Sequence, residues 1–173
     1  DTHRVTLGLE TRVMEADTGY QRLGAQVAQM VFLNDRQVRL DGNASPLTQR
    51  YSNLLSEMTI GLNQNWSASA FSDWDWDESA VSDFRLGIDY AKGARWQLSA
   101  GYRYKTDDGH DELSLDSTWP LGRRWQVGLR NIYTLSDKQN QYSAMSLGYD
   151  DCCWAIQVSV EDEWADDDDG PQV

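Results

Sequence analysis

The stretch "WAIQVSVE", residues 154–161, alternates without a break: Trp154, Ile156, Val158 and Val160 share one face, and Ala155, Gln157, Ser159 and Glu161 the other. A period of two is what an extended strand with one apolar face produces. The same pattern recurs upstream. In "DFRLGIDY", Phe84, Leu86, Ile88 and Tyr90 oppose Arg85, Gly87 and Asp89; in "WQLSAGYRY", Trp96, Leu98, Ala100, Tyr102 and Tyr104 oppose Gln97, Ser99, Gly101 and Arg103. Helical spacing is almost absent. Carried along the chain, this test predicts an all-β protein, an antiparallel meander of about ten long strands: 4–14, 21–32, 51–62, 66–75, 82–91, 95–104, 111–119, 124–135, 141–150 and 153–162. Residues 1–173 then form one domain, with strands over about 4–162 and an acidic loop or tail at 163–173.

Strand length narrows the class. A membrane-crossing β-strand needs about 9–11 residues, whereas ordinary strands average about 5–6, and nearly all of these reach the longer figure. The connections also alternate. Short ones carry "LNQNW", "YAKGARW", "WPLGRRW" and "YDDCCW", and the segment at 15–20 joins them by parity; those around 33–50, 76–81, 105–110 and 136–140 are more polar, one of them much longer. Outer-membrane barrels show this asymmetry between periplasmic turns and outer loops. The expected architecture is a transmembrane β-barrel or a segment of a larger one.

Composition agrees once the aromatic residues are considered. A mean hydropathy of −0.66 and a net charge of −13 suggest a soluble acidic protein. Yet there are eight Trp and eight Tyr against three Phe, an excess of rings that suit a boundary between apolar and wet surroundings. Tyr20, Trp66, Tyr90, Trp96, Trp119, Trp125, Tyr149 and Trp154 flank the short turns, as an aromatic girdle at one membrane interface would. Tyr51, Trp74, Trp76, Tyr104, Tyr133 and Trp164 lie toward the other strand ends. A soluble sandwich would explain the alternation but not this placement.

Seven glycines, Gly8, Gly24, Gly61, Gly87, Gly101, Gly128 and Gly148, fall inside predicted strands on the face opposite the apolar one, the expected lumen wall. Glycine weakens a strand, so its repetition points to curvature or to close approach of another backbone.

Several functions are disfavoured. The 15 Lys and Arg form no patch suited to nucleic-acid phosphates, and no apolar run reaches the roughly 18 residues of a transmembrane helix. There is no signal peptide, so the chain is read as mature or as a fragment. His3 at the start and His110 in a polar turn offer no triad geometry, and no enzymatic role or cofactor is expected. No metal site is assigned; the run "DDDD" at 166–169 is read as a solvated segment.

Cys152 and Cys153 are the only cysteines and are adjacent. They lack the spacing of a redox or zinc site. In an extended strand their side chains would diverge, leaving packing as small hydrophobes or, in an oxidising compartment, bonds to partners outside this chain.

The segment "WPLGRRWQVGLRNIYTLSDKQNQYSAMSLGYDDCCWAIQV", with its "WP…RW" turn, hairpin and "Y-x-x-C-C-W-A" turn, resembles the C-terminal barrel of the LptD family of outer-membrane lipopolysaccharide-assembly proteins. "RVTLGLETRV" and "YQRLGAQVAQMVFL" are similar to an earlier hairpin of that family, so the resemblance covers residues 4–161. It implies that Cys152 and Cys153 form two long-range disulfides to an N-terminal periplasmic jellyroll region, that an LptE-like lipoprotein plugs the barrel, and that lipopolysaccharide leaves between strands this chain does not supply. The expected function is a wall segment of a protein that moves lipopolysaccharide to the cell surface, in contact with outer-membrane lipid. Two other readings stand beside it: a free-standing ten-strand barrel acting as a small pore or adhesin, and a soluble β-sandwich binding module.

Overall fold

The structure, a computed structural model, describes residues 3–34, 50–93, 95–106 and 109–163; the acidic run at 166–169, Trp164 and most of the long connection after residue 33 lie outside them. Ten strands follow one another: β1 (Arg4–Met14), β2 (Gln21–Phe32), β3 (Leu54–Gly61), β4 (Trp66–Asp75), β5 (Ala80–Lys92), β6 (Trp96–Lys105), β7 (His110–Leu121), β8 (Trp125–Thr134), β9 (Gln139–Asp150) and β10 (Ala155–Glu163). They form a single sheet in sequence order, each strand antiparallel to the next. Strand lengths of 8 to 13 residues match a membrane-crossing element better than an ordinary strand.

The turns follow from local chemistry. Gly93 and Gly122 hold φ of 66° and 90°, a left-handed conformation that a side chain disfavours and that reverses the chain after β5 and β7. Between β3 and β4 the Asn63 side chain closes the turn, its Oδ1 accepting from the amides of Asn65 at 2.9 Å and Trp66 at 3.1 Å. Asp75 does the same after β4, accepting from the amides of Asp77 and Glu78. Such side-chain bonds are why Asn and Asp favour turns.

The register carries one alternation across the whole sheet. Leu86 stands opposite Ala70 and Tyr102, while its neighbour Gly87 stands opposite Ser69 and Gly101. Further along, Leu147 faces Val127 and Val158, and Gly148 faces Gln126 and Gln157. One face of the sheet is therefore apolar and the other polar. Bulges at Val13/Met14, Asp73/Trp74 and Ile132/Tyr133 shift the pairing near strand ends, where such irregularities re-aim side chains and add twist.

No ordinary core forms among the described residues. Phe32 is the one large apolar side chain that is buried, whereas Leu9, Leu86, Leu115, Met145, Val158 and Val160 are all exposed on the apolar face. Monomeric soluble proteins rarely expose so many large apolar side chains along one face. A sandwich would need a second sheet packed about 10 Å away, and the described residues make only one. β1 and β10 are not paired with each other, so the sheet stands open, as a segment of a larger barrel does and a closed ten-strand barrel does not.

Candidate functional site: the two faces of the wall and a cysteine turn

On the polar face, charged side chains are tied across strands. Arg85 and Arg103, directly opposed in register, both donate to Asp83, through Arg85 Nε at 3.1 Å and Arg103 Nη2 at 3.1 Å. The Arg85 guanidinium also lies 4.8 Å from the centre of the Phe71 ring, within cation–π range. Arg130 Nε donates to Asp116 at 2.6 Å, and Gln26 Nε2 to Glu57 at 2.6 Å. These groups line a polar surface able to hold water or a polar partner. Sequence reading did not find the Asp83, Arg85 and Arg103 cluster, because it depends on the register between β5 and β6.

All seven strand glycines lie on this polar face, and their surroundings differ. A methyl group at Gly87 or Gly101 would come 2.7 Å from the hydroxyl of Ser69 or Ser114, and one at Gly128 would meet that of Ser146. At Gly148 the neighbour is Gln126, at Gly24 it is Gln21, and Gly8 has ordinary room. Gly61 alone is pressed by backbone, the Gln21 carbonyl, together with the Tyr20 ring. Short polar side chains on neighbouring strands thus fill the space that missing side chains leave.

The rings beside the short turns gather mainly on the apolar face. The ring centres of Trp66 and Tyr90 lie 4.8 Å apart, and Trp125, Tyr149 and Trp154 follow in series, the first pair edge-on at 4.8 Å and the second tilted at 4.9 Å. Trp96 and Trp119 are exposed nearby. Tyr20 stands apart from this set: its ring covers Gly61, and its hydroxyl donates to the Asn63 carbonyl. In the turn before it, the Thr18 hydroxyl and then Arg22 hold the Glu15 carboxyl below the usual carboxylate range.

The cysteine turn departs from expectation. Divergent side chains were expected of an extended chain, but β10 begins only at Ala155, and Cys152 and Cys153 occupy the preceding bend. Their sulfurs lie 2.8 Å apart, and both residues are exposed with free thiols. Asp151 organises the bend. Its side chain accepts from the Cys152 amide at 2.8 Å and pairs with Arg124 at 3.3 Å, while its own amide donates to the Trp154 carbonyl at 3.0 Å. The neighbouring Cys153 thiol, with some loss of hydration, raises the Cys152 thiol above its usual range.

Comparison with known proteins gives a consistent result. The profile of the LptD family, described as LPS transport system D, matches residues 1–145. The chain is 27% identical over 157 residues to an LPS-assembly protein LptD of Nitrosomonas europaea, covering 91% of this chain and 21% of that protein. It is 29% identical over 160 residues to the LptD of Cupriavidus metallidurans, covering 89% and 19%. With the LptD of Burkholderia pseudomallei the figures are 27% over 167 residues, 93% and 21%. The chain spans about a fifth of the length of these relatives.

Proposed function

The chain belongs to the LptD family, and from that premise we propose that it is part of the wall of an outer-membrane protein that carries lipopolysaccharide to the cell surface. One observation supports this reading above the others: large apolar side chains stand exposed along one face of a sheet whose other face is polar and ion-paired. Bilayer hydrocarbon against the first face and an aqueous lumen against the second satisfy both. The exposed rings beside the short turns would then lie at the periplasmic interface.

In this reading the segment performs no catalysis; its chemistry is to hold a shape. The seven glycines keep the lumen side of the wall low, leaving room for a lipoprotein plug of the LptE kind. Cys152 and Cys153 reach out from the periplasmic rim and cross-link to cysteines of an N-terminal periplasmic region of the parent protein. The test is depletion of the parent protein in living cells, followed by antibody detection of newly made lipopolysaccharide on intact cells. Surface arrival should cease on depletion and return when the parent gene is restored. Unchanged arrival would exclude the reading.

A further inference from the structure

Four of the 15 Lys and Arg, separated in the sequence, are brought to one rim of this acidic chain by the fold. Residues 92–95 and 122–124, the turns after β5 and β7, contain Lys92, Arg95, Arg123 and Arg124 and no acid, in a protein of net charge −13. At the other end of the sheet, the turn after β4 carries Asp75, Asp77 and Glu78. The two cationic turns are physically joined: Arg95 Nη1 donates to the carbonyl of Gly122 at 3.2 Å and to that of Arg123. Of the four, Arg124 alone is ion-paired among the described residues, to Asp151. Lys92 and Arg123 are exposed and have no ion-pair partner among the described residues.

The placement of these charges relative to the rings decides what they suit. Lys92 lies directly opposite Trp96 in register, on the apolar face, and Trp125 follows Arg124 in the chain. Trp96 and Trp125 are 46% and 44% exposed. Indole rings settle at the boundary between hydrocarbon and headgroups, so cations level with them, as Lys92 is, or one step beyond, as Arg95 and Arg124 are, can reach lipid phosphates with their aliphatic stems along the apolar surface. A zwitterionic lipid brings its own ammonium beside each phosphate and offers no net charge. A net-negative headgroup does. We propose that this rim, the turns after β5 and β7 with their flanking tryptophans, is a binding surface for anionic glycerophospholipids of the leaflet next to the short turns. The proposal rests on the outer-membrane reading above.

The test uses the full-length parent protein in nanodiscs of mixed phosphatidylcholine and phosphatidylglycerol, released into mild detergent, with retained lipids counted by native mass spectrometry. The unaltered protein should retain phosphatidylglycerol in preference. Arg123→Gln, which breaks no contact seen here, should lower that preference about fivefold. The combined replacement of Lys92, Arg95, Arg123 and Arg124 by Gln should abolish it, and replacement of the three arginines by Lys should keep it. Equal retention of both lipids by the unaltered protein would overturn the proposal, as would undiminished preference in Arg123→Gln. Retention of added lipid A ahead of phosphatidylglycerol through the same cations would also overturn it. A parent protein that enters no bilayer removes the outer-membrane reading and this inference with it; one that enters normally but shows no charge-dependent preference removes the inference alone.

Discussion

Cys152 and Cys153 are sequence neighbours whose sulfurs lie 2.8 Å apart on one exposed bend. The thiolate is the reactive form of cysteine, and the Cys153 thiol raises Cys152 above the usual range. In the reduced protein, the alkylation rate of Cys152 should therefore rise with pH through a midpoint above the ordinary thiol value of about 8.5. Cys153→Ser should move that midpoint down. Iodoacetamide incorporation, followed by mass spectrometry across a pH series, measures both; a midpoint indifferent to Cys153 contradicts the prediction.

The same bend bears on cross-linking. Two thiols presented side by side at an exposed rim can each be reached by a different partner cysteine, and either bond alone would tether the same two regions. Cys152→Ser and Cys153→Ser should each remove one cross-link on a non-reducing gel and leave lipopolysaccharide export largely intact, while the double replacement should abolish the tether and most export. Each bond, once formed, would close a long loop, worth about 2–4 kcal/mol. Free thiols on both residues in the mature parent protein would sink this prediction.

Leu86 sits midway along β5, opposite Ala70 and Tyr102 on the apolar face. Leu86→Arg should destabilise the folded protein by about 2–4 kcal/mol if it lies near the bilayer midplane. In single-cysteine variants of the parent protein, a membrane-impermeant maleimide should label position 85 and spare position 86. The reverse pattern would mean the sheet faces are inverted.

How far such faces can be read from sequence depends on contrast between neighbouring side chains. In residues 154–161 large apolar and polar groups alternate, and β10 and its apolar face follow. In β4, "SASAFSDW" at 67–74 mixes small residues on both sides, and nothing in it announces that Phe71 lies on the polar face beneath Arg85. Strand ends failed where side chains took over backbone bonding. The strand expected from residue 51 begins at Leu54, since the Ser52 hydroxyl accepts from the Met30 amide at 2.9 Å and leaves Tyr51 with an isolated bridge to Val31. The cysteine geometry was illegible for a related reason: it depends on where a strand stops, which periodicity locates only to within a few residues.

The glycines separate by what surrounds them. At Gly61 an added methyl would strike the Gln21 carbonyl and the Tyr20 ring, and backbone cannot rotate out of the way as a serine hydroxyl can. Gly61→Ala should cost about 1–3 kcal/mol, Gly87→Ala less, and Gly8→Ala should change stability by no more than about 0.5 kcal/mol. Urea midpoints of the folded parent barrel give the ranking. Equal costs at all three positions would mean that close approach is not what these glycines provide.

Asp83 is the hinge of the polar-face charges. It is only 9% exposed and accepts from two arginines that face each other across β5 and β6. With its charge removed, Arg85 and Arg103 become like charges directly opposite one another, an arrangement that destabilises a sheet. Because the arginine side chains are 50% and 41% exposed, water screens much of the effect, and Asp83→Asn should cost about 1–2 kcal/mol rather than the larger penalty of a fully buried pair. Two further outcomes separate this electrostatic cause from lost packing. Added salt should narrow the gap between the variant and the unaltered protein, since it screens attraction in one and repulsion in the other. Arg103→Gln placed on top of Asp83→Asn should restore part of the loss by removing one of the opposed charges. Urea unfolding of the parent protein in vesicles, followed by tryptophan fluorescence at low and high salt, reads both. A gap unchanged by salt, together with additive losses in the double variant, would show that Asp83 contributes by shape and not by charge.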